Sequence, residues 1–150
     1  MKKLLLLSAL LIFACSGDDS SNNDNSNQTF LERYDGVVWQ YDEVSGENAP
    51  YLLAFYNNPE MFRRNNGISG NCDEFYFGIF NDEFGYGWGL LLNDGDTLTV
   101  EKFDFEGIAY KIHTVVVVDD VLTETVTSYE DGSFIDEITC TRTTLTDPCD

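Results

Sequence analysis

The chain has 150 residues and carries 27 Asp and Glu against 8 Lys and Arg, a formal net charge of −19. Binding to phosphate backbones or anionic lipid surfaces needs clustered cations, and Arg63-Arg64 is the one basic pair outside the first three residues, so nucleic acid is excluded as a partner. With 43% hydrophobic and 14% aromatic residues the chain can still bury one sizeable core.

Residues 1–14 read as a secretory signal. Lys2 and Lys3 form a basic start, and the apolar run from Leu4 to Phe13 is too short to span roughly 30 Å of hydrocarbon as a helix. Ile12-Phe13-Ala14-Cys15 resembles the box read by bacterial lipoprotein-processing enzymes, in which aliphatic, tolerant and small residues precede a cysteine. The resemblance implies cleavage before Cys15, lipidation of that residue, and membrane attachment through acyl chains worth about 0.8 kcal/mol per buried CH₂. Loss of Lys2 and Lys3 would carry the formal net charge from −19 to −21. Residues 15–28 have no apolar side chain after Cys15 and are expected to be a disordered tether. Gly17-Asp18-Asp19 is similar to the acidic tags of some surface-exposed lipoproteins, so the expected location is the outer membrane, lipid-anchored and facing outward.

The folded domain is expected over residues 29–150. Thr29-Phe30-Leu31-Glu32 fits a capping box, and Phe30, Leu31 and Tyr34 gather on one side of a short helix ending at Gly36. A further turn of helix is predicted from Pro59 to Arg63. Otherwise the chain reads as eight strands, over residues 37–44, 50–57, 74–81, 85–92, 97–105, 109–118, 121–129 and 134–144. Short turns such as Asn93-Asp94-Gly95-Asp96 and Asp119-Asp120 force antiparallel neighbours. The fold class is therefore all-β: an eight-stranded antiparallel up-and-down meander barrel with one short N-terminal helix.

Alternation assigns the faces. Tyr86, Trp88, Leu90 and Leu92 share one side and Gly85, Gly87 and Gly89 the other, which suits a sharply curved wall. Ile108, Tyr110, Ile112, Val116 and Val118 are placed on the core side of their strand, with Lys111 and His113 on the polar side. Val115 to Val118 is apolar on both faces, and the N-terminal helix is expected to cover its outer one.

The four cysteines divide by location. Lipidation consumes Cys15, which leaves Cys72, Cys140 and Cys149 for an oxidising exterior. A disulfide between Cys72 and Cys149 is expected, worth roughly 4 kcal/mol of loop-closure entropy, with Cys140 a buried thiol. Pairing of Cys140 with Cys149 is the alternative.

Gly36-Val37-Val38-Trp39 on the first strand and an arginine late on the last, in a meander behind a short helix, are similar to the lipocalin-like (calycin) proteins. In that family a first-strand tryptophan packs under an arginine from the end of the barrel. The resemblance implies that Trp39 and Arg142 close the barrel by a cation–π contact worth about 1 to 2 kcal/mol. Residues 31–39 and 141–144 also look like small uncharacterised surface lipoproteins of this type.

A barrel of this size either packs solid or holds one small ligand. Phe75, Phe77, Ile79, Tyr86, Trp88, Tyr110 and Ile112 are the expected ligand-lining residues. The functional reading is a surface-anchored lipoprotein whose barrel binds a small apolar or amphiphilic ligand. The alternative is a non-catalytic interaction or accessory protein with a side-chain-filled barrel. No enzyme is expected: His113, the single histidine, has no nucleophile placed beside it by any motif. Asn93-Asp94-Gly95-Asp96 lacks the ligand alternation of a calcium loop, no zinc spacing occurs, and neither metal nor cofactor is expected. A monomer is expected.

Overall fold

The computed structural model describes residues 27–41, 51–65 and 72–149. The expected signal segment, Cys15 and residues 16–26 lie outside them, as do residues 42–50, which hold the ends of two expected strands. Helix α1 (Phe30–Arg33) precedes ten strands: β1 (Val38–Tyr41), β2 (Tyr51–Asn57), β3 (Glu60–Asn65), β4 (Cys72–Tyr76), β5 (Ile79–Asn81), β6 (Tyr86–Asp94), β7 (Thr97–Phe103), β8 (Ala109–Val118), β9 (Val121–Ser128) and β10 (Phe134–Arg142). Their hydrogen-bonded order is β4-β3-β2-β1-β10-β9-β8-β7-β6-β5. Every pairing is antiparallel, so the fold is an up-and-down meander in which first and last strands meet.

The two sheet edges, β4 and β5, are consecutive in sequence, and the barrel is nearly closed between them. Phe77 and Gly78 cross the seam: Phe77 donates its N–H to the Glu60 carbonyl at 3.1 Å, and Gly78 donates to the Trp88 carbonyl at 2.6 Å. Phe75 of β4 then stacks on Tyr86 of β6 with ring centroids 5.9 Å apart. Aromatic packing thus joins the edges where the ladder does not.

Among the described residues two strands more than the expected eight are present, for local reasons. Pro59 to Arg63, expected as a turn of helix, belongs to a hairpin in which β3 pairs with β2 from Asn57↔Glu60 to Leu52↔Asn65. Met61 and Phe62 are both buried on opposite faces, so no period distinguished strand from helix there. The expected strand over 74–81 breaks at Gly78, whose φ of +80° takes it out of the extended region.

Helix α1 forms as its capping box dictates, with both reciprocal hydrogen bonds between Thr29 and Glu32 in place. It does not lie over the outer face of Val115 to Val118, where Val118 is 63% exposed. Instead it packs against β2, β6 and β7 and stoppers one end of the barrel. Phe30 and Leu31 are fully buried there, Phe30 edge-on to Phe55 at 5.3 Å. Arg33 and Tyr34 both donate to the Asp96 carboxylate in the β6–β7 turn, and Asn93 Oδ1 accepts from the Leu31 N–H at 3.0 Å.

After β10 the chain doubles back across the outside of β1–β3. Thr143 donates to the Val38 carbonyl at 2.9 Å, Asp147 pairs with Arg63 at 2.9 Å, and the Pro148 carbonyl accepts from Asn65 at 3.0 Å. Val38, Leu52 and Ala54 form a small second core on this side. Cys149 and Cys72 are joined as a disulfide, Cα atoms 5.4 Å apart, while Cys140 is buried in the barrel interior. No helix among the described residues is long and apolar enough to cross a membrane.

Candidate functional site

With α1 filling one end, the opposite end, where β7 joins β8 and β9 joins β10, opens onto a cavity of about 220 Å³. Its walls are in part apolar and aromatic, built from Leu53, Phe55, Phe62, Trp88, Val100 and Val115. Beside them Arg64, Lys102, Lys111, His113, Glu124 and Asp136 line the same space.

Register explains how these charges come to face inward. On β8 the buried Val115 and Val117 share parity with Lys111 and His113, so all four project into the barrel. Lys102 pairs directly with Lys111 across β7 and β8. Like charges directly opposite destabilise a sheet, and nothing in the ladder requires them.

The polar atoms are incompletely matched. Lys102 Nζ sits 3.4 Å from the Tyr86 ring centroid and 5.4 Å from that of Trp88, with no carboxylate in ion-pair range among the described residues. Burial first, and then the Lys111 and Arg64 charges, pull its ammonium down from 10.5 to about 8. Arg64 lies over the Phe75 ring at 5.1 Å and reaches Asp73 through Nη2 at 3.4 Å, but its Nε is buried without a hydrogen-bond partner. His113 Nδ1 meets Glu124 Oε1 at 2.6 Å, and its ring abuts Trp88 at 4.7 Å. His113 Nε2 and Trp88 Nε1 are likewise buried and unpartnered. Burial pushes the Tyr51 hydroxyl up to about 12, against the lowering pull of Arg64.

The sequence-predicted site is only partly assembled. Of the expected lining residues, Phe77 and Trp88 face the cavity. Phe75 and Tyr86 stand one layer behind, in the aromatic wall. Ile79 is 59% exposed and Tyr110 40% exposed, and Ile112, of opposite parity to His113, faces outward with Tyr110. The expected faces of β8 are therefore reversed, and His113 is a cavity residue, not an exposed one. A register shift between Leu90 and Leu92 similarly turns Leu92 outward, to 44% exposure. Trp39 and Arg142 are direct partners across β1 and β10. Their cation–π contact is not formed: the Arg142 guanidinium turns to Asp120 at 3.0 Å, and Tyr34 meets the Trp39 ring at 5.9 Å. Sequence reasoning missed Arg64, Lys102, Lys111 and His113; the available signal was that Lys111 and His113 share parity with Val115 and Val117.

The His113–Glu124 pair resembles an oriented base, but no serine, threonine or cysteine is among the described lining residues. The cluster Cys72, Asp147 and Cys149 lies outside the barrel and its two sulfurs are spent on the disulfide. No protein-family model, curated protein or solved structure matches the chain.

Proposed function

We propose that this protein is a lipid-anchored surface lipoprotein whose lipocalin-like barrel binds a small amphiphilic ligand. The observation that carries the reading is the cavity itself: about 220 Å³, with aromatic and aliphatic side chains and charged ones lining the same space. A side-chain-filled barrel would leave no such space, and a purely apolar carrier would not place unpartnered polar atoms around it. The volume lies below the roughly 300 Å³ of ordinary ligand pockets, which sets the ligand at the size of a metabolite and below that of a long acyl chain. Attachment through Cys15, with residues 16–26 as a leash that ends where the Gln28 carbonyl accepts from the Gly95 N–H at 3.2 Å, would hold the barrel at a membrane surface without contact with the bilayer.

The accessory-protein reading has its own support. Phe105 and Ile108 in the β7–β8 connection and Phe134 at the start of β10 are 76%, 56% and 66% exposed. Exposed apolar side chains at such positions are what a protein partner would cover.

Native mass spectrometry of the full chain purified from its own host separates the two. A co-purified small molecule, lost when Trp88 is changed to Ala, is the expected result. Absence of any bound mass, together with release of a protein partner when Phe105 and Phe134 are made Ser, would overturn the ligand reading.

A further inference from the structure

We infer that the cavity recognises a carboxylate carried on a single aromatic ring, with Lys102, Lys111 and Arg64 holding the carboxylate and Trp88 and Phe62 packing the ring. The inference rests on the binding role proposed above and goes on to name the class of ligand.

Charge placement is the first argument. The chain has only 8 Lys and Arg, two of them in the leader, yet Arg64, Lys102 and Lys111 line one small space. A strongly acidic protein that spends its scarce cations on the inside of a barrel is not tuning solubility, which surface residues would serve. The arrangement is also costly in isolation. Lys102 faces Lys111 in register, and Lys102 has no ion-pair partner among the described residues. Sites that break a local rule without compensation are characteristically functional.

Charge counting limits the head group. Arg64 is already matched by Asp73 at 3.4 Å and Glu124 by His113 at 2.6 Å, so the lining cations without an ion-pair partner among the described residues are Lys102 and Lys111, with Asp136 in the same lining. A carboxylate supplies one negative charge that these two facing lysines can share. Arg64 Nε, buried and without a partner, adds a donor suited to a planar oxyanion. His113 and Trp88, which line the same space, carry further unpartnered polar atoms, Nε2 and Nε1. One bound molecule with a carboxylate and one or two hydrogen-bonding groups would satisfy what the protein leaves open.

Volume and shape limit the rest. An apolar cavity of about 150 Å³ takes a benzene molecule, and a water occupies about 30 Å³. At about 220 Å³ the space holds one ring with a head group of two or three atoms. The Phe62 and Trp88 rings are perpendicular, 89° apart with centroids at 5.2 Å, and form a corner against which a third ring can stack.

The test compares phenylacetate, its neutral isostere phenylacetamide and the cation phenethylamine on the full-length protein, by calorimetry and by tryptophan fluorescence. The expected order is phenylacetate first, roughly tenfold or more over the amide, with the amine weakest. Lys102→Met should abolish the preference for the acid while retaining amide binding, and Lys111→Met should reduce it. Equal binding of acid and amide, or preference for the amine, would overturn the carboxylate inference and leave the binding role standing. Acid preference untouched by both lysine changes would overturn the assignment of these residues. Failure of all three probes to bind would overturn this inference, and an empty native mass spectrum would then separately remove the binding role.

Discussion

Replacing Lys102 by methionine should make the protein more stable at neutral pH, because the lysine stands in its site at a cost. Its ammonium lies among Tyr86, Trp88, Lys111 and Arg64, and burial with those two cations draws it from 10.5 to about 8. At about 1.4 kcal/mol per tenfold change in proton affinity, that fall amounts to about 3 kcal/mol against the folded state. The group is partly solvated, and screening together with the cation–π contact on Tyr86 brings the net penalty to about 1 kcal/mol. The sign follows from proton binding. Between pH 8 and 10.5 the unfolded chain holds the lysine proton more tightly than the folded one, so wild-type stability rises with pH across that window. Methionine removes both the penalty and its pH dependence. Urea denaturation at pH 7 and pH 10.5 is the assay, the other titrating groups cancelling between the two proteins. Lys102→Met should be about 1 kcal/mol more stable at pH 7 and nearly equal to wild type at pH 10.5. A variant less stable than wild type at pH 7, or a gap that does not narrow with pH, would refute the placement of an uncompensated cation in the barrel.

Other expectations concern what holds the barrel shut. Thr29→Ala removes half of the capping box of α1 and should cost about 1 kcal/mol, measured by thermal melting. Asp96→Asn weakens the anchor shared by Arg33 and Tyr34, and should lower the melting temperature at pH 7. Hydrogen bonds from Tyr34 and then Arg33 hold the Asp96 carboxyl below its ordinary range. Its contribution is therefore full above about pH 4 and lost as the pH falls through the folded-state value, so wild type and variant should converge in acid. Cys149→Ser opens a loop of 77 residues and should cost about 2 to 4 kcal/mol, with new protease cleavage within residues 143–149. Cys140→Ser should leave the non-reducing gel mobility of the oxidised protein unchanged; a shift there would mean that Cys140, and not Cys72, bridges to Cys149.

Where sequence and structure agree, the controlling chemistry is local or nearly so. The capping box of Thr29 and Glu32 acts within four residues. The turns at Asn93-Asp94-Gly95-Asp96 and Asp119-Asp120 act within their own hairpins and impose an antiparallel meander. The glycine side of β6 is legible for a similar reason: a Cβ on Gly87 would come within 2.5 Å of the Phe103 ring, so the alternation itself announces a close approach. The Cys72–Cys149 pairing came from the freedom of a turn and a terminus to meet.

The candidate site was far less legible, because a strand's pattern states which residues share a face but not which face is inside. Lys111 and His113 alternate with Tyr110 and Ile112, and hydrophobicity alone sends the lysine outward. Closure of the sheet reversed that assignment, since Val115 and Val117, of the same parity as His113, had to enter the core beside Leu98 and Leu122. The Leu90–Leu92 shift in β6 is equally invisible in the pattern and flips every later residue of that strand. Residue chemistry and turn spacing were thus enough to give a disulfide-linked all-β meander with a capped helix. Which cations meet around a cavity was decided only when ten strands curled and closed, because that property belongs to the register between strands and to none of them singly.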